Sequence, residues 1–254
     1  MKYCKRLLLP LLLLAAWWAG AEWGWFNTYL LPSPVKVFST AVVLTKKGLL
    51  YQHLKASLLR VVAGFLITFA IAFPLGIAMA LRKNYYDYLE PVLEFIRHVP
   101  PIALIPLLIL WLGIGEPPKL AVIILASFFP VFQNTMSGIA NCDVKLLEVG
   151  KVFAFTEREL FWQIILPQAL PQILVGMQLG LGYSWRSLIG AELIAAASGI
   201  GYMINEAERL SRPDIILVGI LAIGLLGYFI DYLFLVLGER LLHQKERKEI
   251  IWPE

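Results

Sequence analysis

Six apolar blocks divide the chain, at residues 7–21, 58–81, 99–112, 120–139, 170–197 and 215–238. Most approach the roughly 20 residues that carry a helix across bilayer hydrocarbon. Lys2, Lys5 and Arg6 precede the first block, and Trp17, Trp18, Trp23 and Trp25 mark its far end. A basic start and an apolar core also describe a signal peptide. The aromatic belt, and the lack of a small-x-small cleavage site after a short core, favour a first membrane helix. Ser33-Pro34 opens a shorter segment in which Val37, Phe38, Ala41 and Leu44 recur at helical spacing and Lys46-Lys47-Gly48 closes it. A dozen residues cannot span, so this segment is predicted to lie at the bilayer interface. In the second block Pro74 predicts a kink, and Arg82-Lys83 ends it. Residues 85–98 read as an interfacial helix. Residues 99–112 are predicted to form the third span although they contain Pro100, Pro101 and Pro106. Each proline removes a backbone donor. The prolines mark either a helix with a kinked entry or irregular backbone lining a pathway. Gly176-x3-Gly180 in the fifth block predicts a close helix neighbour. Residues 198–213 read as an outer loop, re-entrant around Gly199-Ile-Gly201, and residues 239–254 as a charged tail.

The longest polar passage between apolar blocks, residues 143–168, has internal design. Residues 143–153 fit a short amphipathic helix with Leu146, Val149 and Phe153 near one face. Thr156-Glu157-Arg158-Glu159 is a capping box, which predicts a second helix beginning at Thr156. Two short helices with Phe153 and Phe155 at their corner make a knob, and exposed aromatics on a knob predict a docking surface.

Composition agrees with a membrane domain. Hydrophobic residues are 59% of the 254 and charged residues 16%, with a mean hydropathy of +0.72; soluble domains carry about 25% charge. The net charge of +4, without a basic cluster spaced by aromatics, fits lipid headgroups rather than nucleic acid. With the N-terminus inside, thirteen Lys and Arg fall on the inner side and eight on the outer, a modest bias for that orientation. Cys4 and Cys142 then both lie inside, so no disulfide is expected. His53, His98 and His243 are too scattered for a metal site. No Gly-x4-Gly-Lys-Ser/Thr stretch is present, since Gly150-Lys151 is followed by Val152 and lacks the upstream Gly. No catalytic constellation is visible. Arg186, Glu192 and Asp231 are ionisable groups inside the last two blocks, where charge marks a pathway or an internal pair. Arg186 and Glu192 are about 240° apart around a helix, so they do not share a face. The Arg186 fork suits a sulfonate, nitrate or carboxylate, or else a structural carboxylate partner. Glu192 reads as structural or gating, and Asp231, beside Tyr228 and Tyr232, as facing the interior.

Glu148, Ala154, Ile164 and Leu166-Pro167 have the spacing of the EAA loop of ABC importer permeases. Val149 and Gly150 stand where that family has Ala-Ala, and Ala154 stands where it has Gly. Leu31-Pro-Ser-Pro34, His53-x3-Ser57-x2-Arg60-x3-Gly64, the block from Val99 to Glu116 and Ala191-Glu192 through Tyr202 resemble the sulfonate, taurine and nitrate branch. The resemblance covers residues 31–242. It implies an all-α membrane protein of about six transmembrane helices, with the type I importer (MetI-like) permease fold, as one domain over residues 1–254 and with a coupling loop at 143–168. It implies an ATPase-coupling loop carried by Glu148, Val149, Gly150, Phe153, Ala154, Phe155, Ile164, Leu166 and Pro167. Arg186, Glu192, Trp185 and Pro106 are the candidates for the pathway. The implied partners are two ATPase subunits, a solute-binding protein, a second copy of the chain and the lipid bilayer. No cofactor is expected in the chain itself, ATP being bound by the partner subunit. The implied place is the bacterial inner membrane, multi-pass, with both termini cytoplasmic. The other reading is an ion-coupled secondary transporter with Arg186, Glu192 and Asp231 as a relay; the structured loop and the lack of an inverted second copy speak against it.

Overall fold

Apolar runs interrupted by prolines and polar caps fold here as helix after helix. A computed structural model describes residues 2–249; Met1 and the last five residues of the charged tail lie outside it, as does the side chain of Cys4. In order, the helices are α1 (Lys2–Glu22), α2 (Pro34–Lys46), α3 (Leu49–Leu81), α4 (Lys83–His98), α5 (Ile105–Leu112) and α6 (Glu116–Ala140). They continue with α7 (Val144–Val152), α8 (Glu157–Leu160), α9 (Leu166–Ala195), α10 (Ile200–Arg209) and α11 (Pro213–Glu249). A 3-10 turn, Pro101–Leu104, precedes α5, and a π-helical turn, Phe161–Ile165, precedes α9. No strand occurs among the described residues.

Several ends follow from local chemistry. Ser33 caps α2 by accepting from the Lys36 amide, with Pro34 in the first turn. Asp143 caps α7 and accepts from the Lys145 amide. At Thr156 the capping box is complete, its hydroxyl accepting from the Glu159 amide while the Glu159 carboxyl accepts from the Thr156 amide.

Four stretches are long and apolar enough to cross a bilayer: Leu49–Leu81, Glu116–Ala140, Glu157–Ala195 and Pro213–Val236. The pair Tyr86–His98 and Pro101–Leu112 makes a fifth if it is counted as one span bent by 83°, and Leu8–Glu22 is a shorter apolar helix. Two sequence expectations are corrected. Residues 99–112 do not form one span. α5 has 8 residues, about 12 Å of helix. Pro100 and Pro101 lack amides, and Val99 before them is extended (φ −82°, ψ 116°), which breaks the ladder. Residues 198–213 are not a loop, because most of them form the amphipathic helix α10.

The chain forms two compact units. One comprises Met1–Leu58 and Glu192–Leu226, the other Leu59–Ala191 and Gly227–Glu254. In the first, Val37, Leu44, Ile200, Met203, Ala207 and Val218 are buried. Thr40 of α2 donates to Asp214 at the start of α11 (2.8 Å), and Arg212 grips the same carboxyl with two nitrogens. In the second, Phe65 and Ala72 of α3 pack with Val131 and Phe132 of α6. The Ser127 hydroxyl donates to that of Thr68 (2.8 Å), bridging the same helices. The neighbour predicted for Gly176-x3-Gly180 is α6. A β-carbon on Gly176 would lie 2.5 Å from that of Asn134, and one on Gly180 2.8 Å from a Val131 methyl.

Candidate functional site

The knob at residues 143–168 is built by two local motifs back to back. α7 ends in a Schellman motif, in which the Phe155 amide bonds the Gly150 carbonyl (3.0 Å) and the Ala154 amide bonds Lys151 (2.9 Å). Ala154 therefore sits in the left-handed region, at φ 54°. This is the position where the resembling family has Gly, and the turn forms without it. Gly150 is buried against the second half of the knob. A β-carbon there would meet Leu160 Cδ2 at 2.5 Å and Ile164 Cδ1 at 2.7 Å. Leu160 and Ile164 thus occupy the space an alanine would need. Phe155 turns inward onto Gly150 and is half-buried, so it is not part of an exposed pair. Phe153 is 72% exposed and Val152 84%. Together with Val149, Leu146 and Trp162 they leave an apolar surface on the knob. Glu148 and Ala154 are also exposed, while Leu166 and Pro167 are half-buried where α9 begins. Gln168 anchors the base, its amide oxygen accepting from the Cys142 thiol (2.7 Å) and the Asp143 amide (2.9 Å). Burial, and then the Asp143 charge, push the Cys142 thiol above its ordinary pKa.

In the first unit, Glu192 is 1% exposed. Both its carboxyl oxygens lie within reach of the Ser57 hydroxyl (2.8 and 2.9 Å), and one accepts from the Gly201 amide (3.0 Å). Ser57 in turn accepts from the Ile200 amide, and the His53 ring accepts from the Gly199 amide. The carboxyl thus sits on the first turn of α10, where unpaired amides and the helix dipole favour an acceptor. Gly199 makes the approach possible. Its φ is +116°, and a β-carbon would fall 2.2 Å from a Glu192 oxygen. The Asn205 amide, from the same helix, donates to the Leu193 carbonyl. The end of α9 and the start of α3 are thereby both tied to α10.

In the second unit, Arg60 lays two nitrogens on the Glu116 carboxyl (2.7 and 2.8 Å), and Lys119 adds a third bond at 2.7 Å. Arg60 and Lys119 are buried although charged. Arg186 is exposed, with its guanidinium 5.6 Å from the Tyr183 ring centroid. Among the described residues no carboxyl forms an ion pair with it. Trp185, about 100° around α9 from Arg186, is buried beside Gly227. Pro106 is exposed at the start of α5. Arg186, Trp185 and Pro106 belong to the second unit and Glu192 to the first. A cavity of about 430 Å³ opens between the end of α4, the 3-10 turn, α6 and α9, with Arg97, Gln133, Tyr183 and Ser187 among its lining.

The sequence reading missed Ser57, Arg60 and Lys119 as site-building residues. Its one available signal was spacing. His53, Ser57, Arg60 and Gly64 fall on one face of α3, and three of them bond to partners far along the chain.

Residues 72–243 match the family described as binding-protein-dependent transport system inner membrane component. The chain belongs to that family. It is 37% identical over 247 residues to a Bacillus subtilis (strain 168) protein named as an aliphatic sulfonates transport permease, SsuC, covering 97% of this chain and 90% of the relative. It is 34% identical to the taurine transport system permease protein TauC of Escherichia coli (strain K12), covering 92% and 85%. Its fold resembles a chain of the inward-facing MetNI methionine ABC transporter, with TM-score 0.62 at 15% identity, over 79% of this chain and 97% of that one. The permease is a multi-pass inner-membrane component of a transport system rather than an enzyme, and its architecture is that of the MetI-type permeases.

Proposed function

We propose that this permease forms the translocation pathway of an ABC importer for a small anion, an aliphatic sulfonate, taurine or nitrate. A separate solute-binding protein delivers the solute, and separate ATPase subunits bind and hydrolyse ATP. Two copies of the chain form the pathway and present two knobs to two ATPases, with both termini and the knobs on the cytoplasmic side. No cofactor is held by the chain itself. The observation that carries this reading is the knob. Two capped helices lock a corner whose outward face is Val149, Val152 and Phe153, at the spacing of the coupling loop of importer permeases. Closure of the ATPases would move such a rigid corner as a unit and so re-aim the helices that leave it.

Co-purification with the ATPase tests the reading. Phe153→Asp places a charge in an apolar contact and leaves no partner for it. We expect loss of most of the bound ATPase with the permease still folded. Phe153→Leu, which keeps an apolar group, retains the complex. An undiminished complex with Phe153→Asp removes the coupling role from this loop.

A further inference from the structure

We propose that His53 makes the start of α10 an acid-sensitive latch, held by the neutral imidazole and released when the ring takes a second proton. The inference is independent of what the permease carries. Gly199, Ile200 and Gly201 offer three successive amides, and each is taken by a side chain from another helix. The Gly199 amide donates to His53 Nδ1 (3.2 Å), the Ile200 amide to the Ser57 hydroxyl (3.0 Å) and the Gly201 amide to the Glu192 carboxyl (3.0 Å). The first amides of a helix have no acceptor within it, so these three side chains fix where α10 begins. His53 and Ser57 are four residues apart on one face of α3, and Glu192 comes from the end of α9. α10 also holds the Leu193 carbonyl through the Asn205 amide. A loosened first turn therefore loosens the end of α9 as well.

The three acceptors differ in what a proton does to them. A hydroxyl does not titrate in the ordinary pH range, and a carboxyl keeps an acceptor oxygen whether or not it is ionised. An imidazole has one acceptor nitrogen, and only while it is neutral. The Gly199 amide can only donate, so His53 meets it with a bare Nδ1, and the ring proton is on Nε2. A second proton would set an N–H on Nδ1 against the N–H of Gly199 and end the bond. An unperturbed imidazole makes that change at about pH 6.5. The groups that surround the ring come from each neighbouring element. On α9, Glu192 binds the Ser57 hydroxyl beside it. On α10, the Tyr202 ring lies 5.9 Å from the imidazole, and Glu206 is exposed. On α3 itself, Tyr51 and Lys55 are exposed and about 160° around the helix from His53. Arg212 and Asp214, where α11 starts, are bonded to each other.

The test is amide hydrogen exchange on the purified full-length permease in lipid nanodiscs. Rates in residues 199–204 are compared at about pH 7.5 and about pH 5, which bracket the imidazole range. They are corrected for the intrinsic pH dependence of exchange, with the core of α6 as reference. We expect protection of this segment to be about tenfold lower at the acid pH, as for the loss of one hydrogen bond, and α6 to be unchanged. His53→Asn keeps an acceptor oxygen near the place of Nδ1 and does not titrate. It should hold the wild-type protection of about pH 7.5 at both pH values. His53→Phe keeps a ring beside Tyr202 without the acceptor, and should show the lower protection at both. Should the Phe variant fail to fold, the wild type and His53→Asn decide between them. Equal wild-type protection at the two pH values overturns the latch. So does a fall in His53→Asn as large as in the wild type, which would assign the response to another group.

Discussion

The Glu192 latch gives the sharpest energetic prediction. Ser57→Ala removes the hydroxyl that donates to the buried carboxyl and accepts from the Ile200 amide. A lost bond of this kind costs about 1–3 kcal/mol, and an amide left without a partner in a buried site adds to that. The variant should lose about 2–4 kcal/mol. Glu192→Leu, of similar size, removes both acceptor oxygens, so the Ser57 hydroxyl and the Gly201 amide lose their partner together, and the loss should be at least of the same order. Both variants break the same bond. The double variant should therefore cost less than the two singles together, by about 1.5–3 kcal/mol, whereas independent sites add within about 0.5 kcal/mol. Unfolding of the purified protein measures the cycle. Hydrogen exchange at Ile200 and Gly201 localises it, since opening of the first turn of α10 should speed those amides most. Additivity within about 0.5 kcal/mol, with exchange in α10 unchanged, would show that the latch does not hold this helix and refute the argument.

Two further outcomes follow from the knob and its base. Ala154→Gly relieves an L-residue held at φ 54°, a cost of about 1–2 kcal/mol, partly offset by glycine's greater entropy loss on folding. The net should be about 0.5–1 kcal/mol of added stability, seen as a rise in Tm of a few degrees at most, while Ala154→Val should lower it. In a Cys4→Ser background, Cys142 should react with maleimide more slowly than free cysteine at pH 7. Its raised pKa leaves less thiolate there, and the rate should climb as pH rises past the ordinary thiol range. Reaction at the free-cysteine rate at pH 7 would show that the thiol is neither buried nor bonded to Gln168.

What could be read from the residues alone was what neighbours in sequence decide. The cap at Ser33-Pro34, the Thr156–Glu159 box and the two-helix knob depend on groups within a few positions, so their chemistry is complete in the string of letters. The apolar blocks are legible for the same reason, since a bilayer acts on each stretch separately. Three proline positions were visible too, but whether they kink one span or break it at 83° depends on what the freed backbone packs against. The inward turn of Phe155 was hidden, because Gly150 and Leu160 decide it. The role of Glu192 was out of reach for the plainest reason. Its partners Ser57 and Gly201 are 135 and 9 residues away, and only the folded chain brings a hydroxyl and a helix end onto one carboxyl. Arg60 and Glu116, 56 residues apart, are the same case. A buried charge is tolerable only where its partners converge, and convergence is a property of tertiary structure.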